Sequence, residues 1–256
     1  MHLTASLIVG LLFSGGIGLS LGLIGGGGSI ITVPLLVYVL GVEPHAAMAM
    51  SLAVVGATSL VGCGLHHRNR NVRLQTGLLF AATGMLGAYF GTRLTYMLSD
   101  AALLLTFAVL MIVVAVRMLT TEQREGDGAH KAAPLLAILA AGAGVGVLTG
   151  FLGVGGGFLI VPALVFFGGL GMKEAIGTSL LVITLNCVAG LAGHMQRGEF
   201  DWRLTALVTL FAVAGVAIGA RLAHRTAPGR LRQWFAWFVL AVALLLVVKN
   251  LPAIWR

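Results

Sequence analysis

Residues 22–34 read GLIGGGGSIITVP, and they sit in an apolar run whose first charged side chain after Met1 is Glu43. Four consecutive glycines have the composition of a flexible linker. Yet the run extends from about residue 3 to residue 40. As one straight helix it would measure roughly 57 Å at 1.5 Å per residue, against a hydrocarbon core of about 30 Å. The run must break, and the glycines mark the place. The element returns 128 residues later as GFLGVGGGFLIVP, residues 150–162, with its proline in register. A linker would not be copied that way. A dinucleotide or phosphate loop is also excluded, because no strand precedes the glycines and no lysine follows in Walker spacing.

Working outward, residues 22–94 align with 150–222 without a gap, with 20 identities in 73 positions. Gly, Ala, Leu and Val match often by chance, so the weight falls on Pro34 with Pro162, Ser51 with Ser179, His66 with His194 and Arg93 with Arg221. The chain reads as an internal duplication. Residues 1–119 form a first transmembrane repeat, 120–133 a polar linker and 134–256 a second repeat. The apolar runs fall at 3–40, 46–65, 74–97 and 101–119, then 134–170, 174–193, 202–222 and 232–248. The expected fold is therefore all-α, with about four transmembrane helices per repeat and the first of each broken at its glycines.

Composition agrees with a membrane protein: 59% of the residues are hydrophobic, 9% are charged and the mean hydropathy is +1.03. All eight acids lie between the apolar runs or at their edges, as the cost of a charge at the bilayer centre requires. The net charge of +8 comes from short basic loops such as HHRNRNVR, which is a topology signal rather than a nucleic-acid footprint. The N-terminus lacks the basic region of a signal peptide and reads as retained membrane structure. Cys63 and Cys187 lie inside apolar runs, so a disulfide framework is not expected.

Parity of crossings relates the halves. If each broken run is a hairpin, each half crosses an odd number of times and the repeats are inverted. If it is one interrupted crossing, they are parallel. The hairpin reading puts 11 Lys and Arg inside and 5 outside, whereas the parallel reading gives 10 and 6. Inverted repeats are expected.

Glycine-interrupted segments at matching places in two halves point to a transporter's binding site. A helix that restarts after a break presents unpaired N–H groups and the positive end of its dipole, and two such ends make an anion site. The candidate binding residues are Gly26, Gly27, Gly28 and Ser29 with Gly155, Gly156 and Gly157. The restart is expected at Ser29, a good N-cap, or as late as Pro34, and Pro34 and Pro162 suit either a first turn or a kink. The competing reading is that these glycines only admit close helix packing. Ser51, Thr178, Ser179 and Asn186 supply further polar candidates in the second span of each half, with Thr58 aligned to Asn186. Hydroxyls in membrane helices also bond their own backbone. His66 and His194 are candidates for a proton relay or gate, against a plain interfacial role. Gly87, Gly91, Gly215 and Gly219 are read as helix-packing positions. Cys63, His66 and His67 resemble a metal cluster, but the second half keeps only the histidine at 194, so no metal site is expected.

The GGGGSIITVP and GVGGGFLIVP elements, followed by AAMAMSL or EAIGTSL and a span ending in His, resemble the sulfite exporter TauE/SafE permease family over nearly the whole chain. The resemblance implies a secondary transporter in the bacterial inner membrane that exports a small anion such as sulfite, an organosulfonate or a related sulfur-containing anion. Its partners are that anion and the lipid bilayer; it uses no cofactor, binds no nucleic acid and catalyses no reaction. The alternatives are uptake by a permease of the same family, an intramembrane enzyme, for which the spans offer no acid pair, and a membrane subunit that transports nothing.

Overall fold

The computed structural model describes residues 5–26, 28–94, 100–120, 134–152, 157–194 and 201–250. Among them the chain is helical throughout: α1 (Ala5–Ile24), α2 (Gly28–Pro34), α3 (Pro44–Arg68), α4 (Leu74–Leu94), α5 (Asp100–Thr120), α6 (Leu135–Leu152), α7 (Gly157–Phe166), α8 (Met172–His194), α9 (Trp202–Arg225) and α10 (Pro228–Asn250). A π-helical turn, Leu35–Val39, continues α2. Among the described residues four segments are long and apolar enough to cross a membrane: Leu7–Ile24, Ala46–Arg68, Met172–Leu191 and Trp202–Arg225.

The elements begin where local chemistry starts helices. Pro44 and Pro228 occupy first turns, where the missing N–H costs nothing. Asp201 caps α9 by accepting from the backbone N–H groups of Arg203 and Leu204, both at 3.0 Å. The start positions of α3 and α8, α4 and α9, and α5 and α10 each differ by 128 residues.

α1 ends at Ile24, and Gly25 turns the chain at φ +79°. The segment that follows runs back along α1. A Cβ on Gly28 would stand 2.6 Å from the Ile17 carbonyl oxygen and 3.2 Å from Leu21 Cβ, whereas one on Gly10, nearer the start of α1, would stand 2.5 Å from Leu40 Cδ2. α1, α2 and the π turn therefore form a hairpin. The restart falls at Gly28, not at Ser29 or Pro34, which corrects the cap expectation. A side chain at position 28 would strike α1, so close approach rather than capping decides where the helix resumes. Pro34 closes α2, and the wider π turn begins at the next residue. A proline has no N–H for the preceding turn and its ring crowds that turn's carbonyl. Pro162 lies inside α7, past the first turn.

Tertiary packing interleaves the two halves. α1 lies along α9, and α6 along α4, with backbones almost touching at glycine. On the first pair, Gly18 meets Ala212, Gly22 meets Val216 and Ala220, and Gly215 and Gly219 meet the Gly15–Leu19–Leu23 side of α1. On the second, Gly87 meets Ala143 and Val147, and Gly146 meets Gly84. In both pairs the contact advances along both helices together, so each pair is parallel. α3 and α8 run antiparallel: Leu52 meets Gly190, Gly56 meets Cys187, Gly62 meets Leu180 and His66 meets Gly177.

α7 is buried from Gly157 to Val165 and forms the middle of the main core, with Phe158, Val161 and Leu164 wholly inaccessible. A short helix that is apolar all round has to be enclosed on every side. The outer surface carries Leu12, Phe13, Leu60, Leu86, Tyr89, Phe90, Val188 and Leu210, while Ser14, Thr32, Thr58, Ser59, Thr178 and Ser179 are inside. This inside-out distribution suits lipid as the surrounding solvent.

Candidate functional site

The two glycine-rich breaks meet. A Cβ built on Gly26 would fall on the carbonyl of Gly157, beside the backbone nitrogen of Phe158, so the start of α7 closes onto the turn between α1 and α2. Gly26, Gly28 and Gly157 are all buried. Gly27, Gly155 and Gly156 lie outside the described residues, and so does the side chain of Ser29, whose backbone is inside α2.

Ser179 holds this junction. Its hydroxyl lies 2.6 Å from the Gly25 carbonyl oxygen and 2.7 Å from that of Ile176, one turn back on its own helix. The oxygen is fully buried and its single proton faces two acceptors. Ser179 thus fixes a carbonyl that positive φ at Gly25 has turned away from its own helix. Gly25 sits so tightly that a Cβ there would come 2.7 Å from Ser179 Oγ and 2.9 Å from Ile176 Cα.

The other predicted polar residues divide by location. Thr178 points to the loop before α4, where its Oγ1 accepts the Arg73 backbone N–H at 3.0 Å. Ser51 is buried in α3. Asn186 is partly exposed, but its Oδ1 is buried and has no hydrogen-bond partner. His66 donates from Nε2 to the Gly22 carbonyl at 3.0 Å, because a carbonyl can only accept. That bond ties the end of α3 to the last turn of α1 before the break, and leaves Nδ1 buried without a partner. His194 ends α8 with its side chain outside the described residues. The structure therefore brings Gly26, Gly28, Gly157 and Ser179 to one place and puts Thr178 elsewhere.

Sequence reading passes over one feature, an end of the molecule where several elements are tied by polar contacts. Arg73 pairs with Glu174 at 2.7 Å, and Lys173 donates to the His224 carbonyl at 2.8 Å. A Cβ on Gly177 would fall on the Asn71 carbonyl, so the α3–α4 loop lies over the first turns of α8. The basic residues of these loops carried the signal, but nothing in their spacing names a partner.

Comparison with known proteins places this architecture. Residues 9–246 match the model of the family described as Sulfite exporter TauE/SafE. A "Probable membrane transporter protein" of Xylella fastidiosa is 34% identical over 252 residues, covering 96% of each chain. The "Probable membrane transporter protein YdhB" of Bacillus subtilis is 28% identical over 213 residues, covering 81% of this chain and 86% of its own. A "Probable membrane transporter protein" of Haemophilus influenzae is 24% identical over 247 residues, covering 89% of this chain and 93% of its own. No solved structure matches. With broken, buried glycine segments and an apolar exterior, and with a family match across nearly its whole length, the chain belongs to the sulfite exporter TauE/SafE family of membrane transporters.

Proposed function

We propose that the protein moves a small anion across the bacterial inner membrane, exporting sulfite, an organosulfonate or a related sulfur anion, between the glycine breaks of two inverted repeats. The observation that carries this reading is the contact of Gly26 with Gly157, which puts both breaks at one buried point. Non-helical backbone at membrane depth is tolerated only inside protein or along a wet cavity. Where the helices restart, the N–H groups of their first turns are the donors we assign to the anion, the glycines keep side chains clear of the junction, and Ser179 acts as a positioning residue that keeps the break in shape.

Inversion is supported by three relationships. The hairpin adds a return to the first half, the matching helices α3 and α8 run antiparallel, and Arg73 after α3 reaches Glu174 at the start of α8. Parallel repeats would make α3 and α8 point the same way. In this reading residues 66–73, 117–131, Lys173 and 221–232 face the cytoplasm, as the positive-inside pattern favours. Efflux is favoured by the family description and by an inside-negative potential, which contributes about 2.3 kcal/mol per charge per 100 mV toward expelling an anion.

The test is flux in proteoliposomes across a panel of sulfite, taurine, sulfoacetate and thiosulfate. Saturable movement of at least one, accelerated by a potential that drives anions out, is expected. Folded protein that moves none of them overturns the reading.

A further inference from the structure

Hydroxyls inside these helices usually bond the carbonyl one turn back. Ser14 does so to Gly10, Thr32 to Gly28, Thr184 to Leu180 and Thr209 to Thr205, at 2.7 to 2.9 Å. Thr58 and Ser59 do not. Among the described residues six buried side-chain polar atoms have no partner, and three of them, Thr58 Oγ1, Ser59 Oγ and Asn186 Oδ1, belong to the middle of the α3–α8 crossing. Thr58 and Ser59 are 1% and 0% exposed. A polar atom left unpaired at such a site costs about 1–3 kcal/mol, so the cluster calls for something that satisfies it.

The register of the crossing locates Thr58 and Asn186 relative to each other. Gly56 stands against Cys187, and Gly62 against Leu180. Counting forward on α3 and back on α8 puts Thr58 and Asn186 level to within one to two residues, about 1.5–3 Å of helix rise. They are also matched positions under the offset of 128 residues. A two-fold that exchanges antiparallel helices leaves matched residues on the same side of the pair. That side is marked by Ser179, seven residues or two turns before Asn186 on the same stripe of α8, which reaches the Gly25 carbonyl. Thr58 follows Ser51 at the same interval on α3. Both side chains thus belong to the side of the crossing that faces the glycine breaks.

We propose that Thr58 and Asn186 form a specificity subsite that reads a hydrogen-bond donor on the transported anion. The inference rests on the transport reading given above. In the transport reading the glycine breaks take the oxyanion. Asn186 Oδ1 is an acceptor, and the Thr58 hydroxyl can accept or donate, so this pair suits a hydroxyl or other donor on the rest of the substrate. The substrate class is a small oxyanion that also carries such a group. Thr58 and Asn186 differ in shape and capacity, so the subsite gives a bound molecule one preferred orientation despite the two-fold around it.

The experiment compares uptake of isethionate and ethanesulfonate, which differ by one hydroxyl, into proteoliposomes holding wild-type protein, Asn186→Leu or Thr58→Val. Wild type should favour isethionate by about tenfold in kcat/KM, because a site built to bond a hydroxyl rejects the analogue that lacks it. Asn186→Leu should bring the ratio to about one, chiefly by losing isethionate, and Thr58→Val should reduce it. Neither variant should lower the unfolding midpoint without ligand, since no protein partner is lost. An unchanged ratio in Asn186→Leu, as expected if the pair only holds water, overturns the proposal, and so does a wild type that takes both compounds equally. Wild type that moves the anion panel but discriminates nothing sinks the subsite alone. Wild type that moves no anion sinks the transport reading and the subsite with it.

Discussion

The hydroxyl of Ser179 reaches the carbonyl oxygen of Gly25 at 2.6 Å, joining residues 154 apart in sequence. Ser179→Ala removes the side-chain donor that the structure places on that buried carbonyl. A lost partner of this kind costs about 1–3 kcal/mol. The unfolding midpoint in detergent should fall, and transport should slow as the break loses its shape. A variant with unchanged stability would show that Ile176 alone takes the Ser179 proton.

The glycines divide into those that touch backbone and those that do not. Gly87→Ala and Gly146→Ala should destabilise, because each new methyl group would meet a carbonyl of the partner helix. Gly16→Ala, Gly64→Ala and Gly144→Ala have nothing within 4 Å of the added carbon and should stabilise by about 0.5–1 kcal/mol each. Thermal unfolding of the five single variants checks the division.

Gly26→Val and Gly28→Val test the break itself. A branched side chain at 26 runs into Gly157, and one at 28 into the Ile17 carbonyl. Protein that still inserts should lose transport, measured as sulfite flux per folded molecule. Wild-type rates in both folded variants would reduce these glycines to packing.

Opposite faces should be reached at Asn69 and Arg203. Cysteines placed at the two positions, with buried Cys63 and Cys187 retained, should be labelled by an impermeant maleimide from opposite sides of the membrane. Labelling from one side would mean that α3 ends where α9 begins, and inversion would be lost.

The Arg73–Glu174 pair should contribute little. The arginine side chain is 50% exposed, and exposed pairs are typically worth no more than about 1 kcal/mol. Glu174→Gln should shift the unfolding free energy by less than that, with the residual effect fading in high salt.

The break was legible because length arithmetic demanded one and the only runs of three or more glycines stood in the right places. Its exact restart was not. Capping preference pointed to Ser29, while the contact of Gly28 with Ile17 depends on α2 folding back along α1, which local propensity does not report. The π turn after Pro34 was hidden for a similar reason, since a proline there is compatible with a kink, a first turn or a bulge. Gly87, Gly215 and Gly219 announced close packing, but small residues in several helices fit one another equally well, so the spacing could not pair α1 with α9. Ser179 stood out as a matched hydroxyl. That it would serve the backbone of Gly25 depended on a carbonyl that only the fold turns toward it.

The embrace of α1 by α9 sets an order of events in synthesis. α1 leaves the ribosome well before α9, the helix it packs against most closely, and at about 5–20 residues per second the wait is roughly 10–40 s. Throughout that interval the glycine face of α1, made to lie against another backbone, stays without its match. An insertase or chaperone that shelters it would be needed most by this segment. A nascent chain halted before α9 should be far more exposed to membrane proteases than one halted just after it.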